Sequence, residues 1–283
     1  MTRLDRRSLF TSGAAAALLT ASGVSLDAAP RSGGRLRLAV AREDDTLNRV
    51  ARGAVFDTLT EVAPDGALRG ELTSHWQGNS DAREWLFDLR QGVGFHDGTT
   101  LGAGDVAASI QAHSNVLQDV IAIEAVDQWQ VRVELKHGNS DLPYILAHPA
   151  LIIAPNGQVD LPLSAAVGTG LYRVGRVQEG RHFLGHRVKS HYKDGSAGWV
   201  DSVEIIVIPR ADVRAEALRD GYVDVASLPL PDGLLGRGDF QYYPSAKEMA
   251  LAAHHGIGVP KNIGWQSALD DGRIAERWWK LRA

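Results

Sequence analysis

EWLFDLRQGVGFHDGTTLGAGDVAASI, residues 84–110, joins a strand, a tight turn and a helix in one short run. Trp85, Phe87 and Leu89 alternate with Leu86, Asp88 and Arg90, the period of two that gives a strand one apolar face. Gly92, Gly94 and Gly98 then punctuate the chain. His96-Asp97-Gly98 predicts a turn in which Gly98 takes a positive φ and Asp97 binds local amides. A helix is expected from about Gly102, with Val106, Ala107 and Ile110 at helical spacing. Asp105 falls in its first turn, where a carboxylate complements the helix dipole. Gly102 serves as the cap, a weaker one than Ser or Thr. His96 beside Asp97 is also half of a general-base unit. No serine or cysteine nucleophile motif accompanies the pair, and a structural turn accounts for both residues.

Working outward, RLRLAVA (35–41) alternates apolar and basic residues and reads as a first strand, followed by a polar turn and a helix from Asp45 to Leu59. Asp65-Gly66 marks a hairpin turn, and LTSHW (72–76) follows it. Ile121 to Val126 and Gln130 to Leu135 flank Asp127-Gln128-Trp129 as a hairpin. Ser140 to Ala147 reads as a short helix with Pro143 near its first turn, and Leu151 to Ala154 as a brief strand. In VGTGLY (167–172), Gly168 and Gly170 are expected to permit a chain crossover. A phosphate-cradling loop would need a strand before and a helix after, and the sequence offers neither. Val203, Ile205 and Val207 then form a strand, and a helix from Asp212 to Asp220 ends at Gly221 in a left-handed cap. About sixty residues follow Ala226, rich in Gly and Pro up to Pro260. The stretch Ile263 to Leu281, with Trp265, Leu269, Ile274, Trp278 and Leu281, predicts one amphipathic helix interrupted by Gly272.

Three of these blocks, in this order, resemble the bacterial extracellular solute-binding proteins of family 5, the peptide- and nickel-type receptors of ABC importers. The first runs from Thr46-Leu47 through Asp65-Gly66 and Trp76 into Phe95-His96-Asp97-Gly98 and Asp105-Val106; Asn48-Arg49 stand where the family has Asp-Pro. The second is Gly168-Thr169-Gly170 with Tyr172, where Leu171 replaces a Pro, and the third spans Trp199 to Ser227. The resemblance implies an α/β fold, the type II periplasmic-binding-protein architecture: a mixed sheet with a small α/β insertion subdomain and a second lobe largely absent. It divides the chain into a signal peptide (1–29), a first-lobe segment (30–75), the insertion (76–165), a return to the first lobe (166–235) and an irregular, helical tail (236–283).

The two ends and the composition bound the function. Arg3, Arg6 and Arg7 precede an apolar, small-residue run from Leu9 to about Val24, the pattern of an export signal, and DRRSLF is similar to a twin-arginine signal. With no cysteine, disulfides, thiolate metal sites and a lipid-modified cysteine are excluded, so a soluble periplasmic protein is expected. Residues 1–29 carry three arginines against two aspartates, so removing them takes the formal charge from -4 to about -5. The basic residues are scattered, which argues against nucleic acid as a partner.

No HExxH, GxSxG or Walker-type motif occurs, so no enzyme chemistry and no cofactor are expected. His182 and His186 share a predicted strand, where their bases lie about 13 Å apart, too far to bind one ion. Trp129 and Tyr144 could shape a pocket, though aromatics in such positions are more often core. Open α/β sheets bind ligands at the carboxyl ends of their strands. Arg42, Glu43 and Asp44 follow the first strand, and in the family that turn forms part of the cleft wall. They are the leading ligand contacts, with a solvated, helix-capping loop as the alternative. The resemblance implies capture of an oligopeptide or similar small solute for ABC permease subunits; with the second lobe largely absent, a second chain completing the cleft is a further expected partner. Two rivals stay open: a shortened receptor acting as an interaction module, supported by Trp278-Trp279, and an exported hydrolase using His96.

Overall fold

The computed structural model of the protein describes residues 30–42, 45–63, 66–230, 234, 238–244, 250–258 and 273–281. In chain order, β1 (Pro30–Arg31), β2 (Arg35–Val40) and α1 (Thr46–Val55) open the fold. A two-stranded ribbon, β3 (Thr60–Val62) with β4 (Leu68–Gly70), leads to β5 (Thr73–Gly78), β6 (Glu84–Leu89), α2 (Ala103–Ala112), β7 (Val120–Ala125), β8 (Gln130–Leu135) and α3 (Leu142–Ile145). The chain then forms β9 (Tyr172–Gln178), β10 (His182–Arg187), β11 (Ser202–Val207), α4 (Ala211–Arg219), β12 (Val225–Leu228), β13 (Phe240–Pro244) and β14 (Ala250–His254). It ends with β15 (Ile257–Gly258), α5 (Ile274–Arg277) and β16 (Trp279–Leu281).

β2 shows why the main sheet is covered on both faces. Leu36, Leu38 and Val40 point to one side, into a core with Leu47, Val50, Ala51, Ala54 and Val55 of α1. Ala39 points to the other, among Leu218 of α4, Ala226 and Leu228. Helices on opposite faces of one sheet are the layer solution for strands apolar on both sides. The strand order is β13-β14-β12-β2-β11-β10-β9. β2 pairs in parallel with β11 and β12, and the remaining pairs are antiparallel, so the sheet is mixed.

A second sheet, ordered β5-β6-β8-β7, carries its own core. Trp85, Phe87 and Leu89 of β6 turn inward with Val131, Val133, Val106 and Ile110, as the alternation predicts. The turn after β6 also forms as expected: Gly98 has φ +91°, and Asp97 Oδ1 accepts hydrogen bonds from the Thr99 amide at 2.9 Å and hydroxyl at 2.7 Å. The Gly102 amide donates to Asp105 at 3.0 Å, which supplies the side-chain half of a cap that glycine lacks. His96 fastens this turn to the second glycine block. Its amide donates to Gly168 O at 2.9 Å, and its Nε2 lies 2.7 Å from Gly170 O. Burial holds the His96 pKa below its ordinary value, so the ring is neutral and Nε2–H is the donor.

Several elements differ from expectation. The first helix stops at Val55 rather than Leu59, because Gly168 and Gly170 dock on its last turn and the Gly170 amide takes the Val55 carbonyl at 2.9 Å. A Cβ on Gly168 would sit 2.1 Å from Val55 O, and one on Gly170 would sit 2.5 Å from Ala54 O. These glycines therefore serve close backbone approach. Residues 151–154 form no strand: Ile153 bonds to Asp57 O and Ala154 to the Ser109 hydroxyl, isolated contacts without a ladder. The tail is not one helix where it is described. α5 is a single turn, and β16 lies between β1 and β15 in a small antiparallel sheet. The cause is burial: Ile274, Ala275 and Trp278 enter the main core. Trp278 is 2% exposed, so it offers no interaction surface. The expected signal segment, residues 1–29, lies outside the described residues.

Candidate functional site

The carboxyl ends of β2 and β11 open onto a cleft of about 880 Å³. Ala41 and Arg42 leave β2 along its wall, Val207 ends β11 beside it, and the β9–β10 turn contributes Glu179, Gly180 and Arg181. α1 supplies Leu47, Asn48 and Arg52, and residues 160–164 close the remaining side. Arg42, Arg181, Glu179 and Asp160 are solvent-exposed, so the cleft presents both signs of charge.

Local backbone sets this wall. Asp45 caps α1 in the left-handed region, φ 52° and ψ 15°, uncommon for a residue with a side chain. That geometry turns the chain sharply from β2 into α1, and the Asp45 carbonyl accepts the Arg49 amide at 3.1 Å. Arg52 braces the opposite side. Its guanidinium donates to Val159 O and, at 3.3 Å, to Leu161 O, while the cation lies 5.2 Å from the centroid of Phe56. Burial lowers the Arg52 pKa, partly offset by attraction to Asp160.

Of the expected ligand contacts, Arg42 stands in this wall, and Glu43 and Asp44 lie outside the described residues. Arg52, Asp160 and Arg181 were not anticipated. Position 181 is 139 residues from position 42, and only the antiparallel β10–β11 and parallel β11–β2 pairings bring them together. Trp129 packs against the insertion core and Tyr144 is 52% exposed on α3; neither borders the cleft. His182 and His186 both lie in β10, and His182 Nε2 is 2.8 Å from Glu204.

A second constellation, also unanticipated, is a buried hub of charge. Glu71 Oε2 accepts from the Thr58 amide at 2.9 Å and hydroxyl at 2.8 Å. Lys193 and Arg273 both bond its carboxylate. Lys193 Nζ also lies 3.3 Å from Glu61 and 3.3 Å from Glu276, and Arg273 Nη1 donates to Glu61 at 2.8 Å. Asp57 Oδ2 accepts from the Thr169 hydroxyl at 2.9 Å, with His191 Nε2 at 3.8 Å. Burial pushes Glu71 up to about 7, against the pull of Arg273 and Lys193, and raises Glu276 as well. Asp57 and Glu61 are held below the ordinary carboxylate range, because the nearby cations outweigh their desolvation. The hub ties residues 57–71 of the first-lobe segment, the 191–193 loop and the tail together.

The mixed sheet with its inserted four-stranded subdomain is the type II periplasmic-binding-protein fold, which is shared by the AgaA receptor bound to agropinic acid (A. tumefaciens R10) at a TM-score of 0.63 and 27% identity. The match covers 69% of this chain and 44% of that one. Residues 67–249 match the family described as bacterial extracellular solute-binding proteins, family 5 Middle, and the chain belongs to that family. It is similar to a probable peptide ABC transporter periplasmic-binding protein of Sinorhizobium fredii, 26% identical over 200 residues, covering 62% of this chain and 38% of the relative. It is also similar to the HTH-type transcriptional regulator SgrR of Escherichia coli K12, 29% identical over 177 residues, covering 58% of this chain and 30% of the regulator. The chain spans less than half the length of each of these three proteins.

Proposed function

We propose that the chain is the first-lobe wall of a periplasmic receptor that captures an oligopeptide or a similar small zwitterionic solute for an ABC permease. The observation that carries this reading is the cleft at the carboxyl ends of β2 and β11, whose lining combines Arg42 and Arg181 with Asp160 and Glu179. A solute with both an ammonium and a carboxylate meets complementary charge there, and no bond has to be made or broken. The relative named as a peptide receptor and the structure holding agropinic acid support the substrate class. Glu43 and Asp44 border Arg42 in sequence and are the further ligand contacts of this proposal. A second chain over the mouth of the cleft is part of this proposal, since tight sites usually bury about 70–90% of their ligand.

The test is a thermal-unfolding and calorimetric screen of the full chain with di- to pentapeptides and opine-like acids. A true solute raises the unfolding temperature by mass action, and Arg42→Ala weakens its binding about tenfold, the loss of one charge-assisted hydrogen bond. A screen in which no zwitterion stabilises the chain, or in which Arg42→Ala and wild type bind alike, overturns the reading. Export rests on residues 1–29, and replacing Arg6 and Arg7 by lysine is expected to abolish periplasmic accumulation in cell fractionation if the route is twin-arginine.

A further inference from the structure

Among the described residues three acids line the solute cleft, Asp45, Asp160 and Glu179, and they are not held alike. Glu179 stands exposed at the tip of the β9–β10 hairpin, and Asp45 is anchored on its α1 side. Asp160 is exposed between buried neighbours. Val159 and Leu163 both enter the main core, and Pro162 fixes the backbone between them at φ -60°. The two carbonyls that flank Asp160 accept hydrogen bonds from one guanidinium: Val159 O from Arg52 Nη2, and Leu161 O from Arg52 Nη1 at 3.3 Å. The fixed fork of a guanidinium suits this grip on two carbonyls, and the single ammonium of a lysine does not. The Asp160 carboxylate itself makes no hydrogen bond or ion pair among the described residues; it attracts Arg52 without bonding to it.

Given the receptor reading of this cleft, on which the assignment rests, we propose that Asp160 binds the ammonium group of the solute and that Arg52 is its positioning residue. Arg52 fixes the 159–161 backbone, so the carboxylate meets the cation already in place. An acid whose backbone is ordered before binding loses little conformational freedom on capture, and its charge-assisted bond is realised as affinity. Arg42 and Arg181 are left for the carboxylate of the solute. Charge and position pull in opposite directions at Arg52. If Arg52 acted through its charge alone, removing it would make the surroundings of Asp160 more negative and strengthen the capture of an ammonium. If it acts by holding the backbone, removing it weakens that capture.

Titration calorimetry on the full chain tests this with alanine peptides of two to five residues, each with a free and with an acetylated amino terminus. Wild type is expected to bind the free peptides at least tenfold more tightly than the acetylated ones, and Asp160→Asn to remove that preference while binding acetylated peptides as wild type does. Arg52→Ala and Arg52→Lys are both expected to lower the preference at least threefold, the lysine failing to rescue it although the charge is kept. Neither has a further effect on the preference in the Asp160→Asn background. Hydrogen exchange of the unliganded protein supplies a readout independent of any solute. The amides of Gln158 and Val159, bonded to Pro155 O and Gly157 O, are expected to exchange at least tenfold faster in Arg52→Ala, while those of β2 and β11 keep their wild-type rates and show that the variant is folded. A preference that survives Asp160→Asn, or that Arg52→Ala strengthens or leaves unaltered, overturns the proposal, as does unchanged exchange at Gln158 and Val159. If no peptide binds wild type, the receptor reading itself falls, and this assignment with it.

Discussion

Between pH 5 and pH 8 the protein is expected to lose stability as pH rises, and the buried hub sets the size of the loss. Glu71 is fully buried, and its pKa climbs from 4.5 to about 7. A carboxyl with a raised folded pKa binds its proton more tightly in the native than in the unfolded chain. Its contribution is therefore fully present below about pH 4.5 and disappears as pH passes through about 7. At 1.36 kcal/mol per unit, the change amounts to about 3 kcal/mol. His191 acts in the same direction: burial pulls its pKa down, attraction to Asp57 overcomes this, and the raised value favours the folded state only while the ring is protonated. Asp57 and Glu61, with lowered values, lose their contributions only below about pH 4.5, outside the window. In urea unfolding followed by tryptophan fluorescence, the midpoint should fall by about 1 M from pH 5 to pH 8 at constant slope. Glu71→Gln removes the largest titrating contribution and makes the fall shallower, leaving the part due to His191 and Glu276. A wild-type stability that is level or rises across this range would refute the argument, as would a Glu71→Gln variant with the wild-type slope.

Two further substitutions test the packing. Gly170→Ala forces a methyl group against the Ala54 and Val55 carbonyls and should cost about 1–3 kcal/mol in urea, with no change in α-helical circular dichroism beyond the last turn of α1. Trp278→Ala empties the place where the tail enters the main core; a loss of about 3–5 kcal/mol is expected, against nearly none if the tail is only a surface appendage.

The elements legible in the sequence were those whose signal is local. β6 follows from strict alternation, the turn at Gly98 from its Asp-Gly chemistry, and β11, α4 and Gly221 from a strand, a helical period and a left-handed glycine in succession. The end of α1 was not legible, because what stops it is a glycine pair more than a hundred residues away. The same holds for α5 and β16. Apolar residues at helical spacing are equally compatible with one buried turn and a strand when a neighbouring edge, here β1 and β15, can accept hydrogen bonds. In the cleft, Arg42 was accessible from the rule about strand ends, while Arg52, Asp160 and Arg181 depended on sheet order. The hub was invisible for a related reason. Acidic and basic residues far apart in sequence read as solvated surface until folding buries them against one another.

Both constellations follow from a single architectural fact, the parallel arrangement of β12, β2 and β11. Parallel strands place all their carboxyl ends on one rim and all their amino ends on the other, so the two rims of the sheet are free to take different tasks. At the carboxyl rim the side chains are charged and exposed, and Arg52 and the left-handed Asp45 brace the wall that carries them. At the amino rim the charges are removed from water and joined across segments that are up to 219 residues apart, from Asp57 to Glu276. Breaking one partner out of such a buried set typically costs about 3–5 kcal/mol, whereas an exposed pair contributes about 1 kcal/mol or less. Rigidity is therefore concentrated at the rim remote from the cleft. In the proposed receptor, such a wall presents charge to a solute without loosening the fold behind it, because the segments that form the wall are anchored at their other ends.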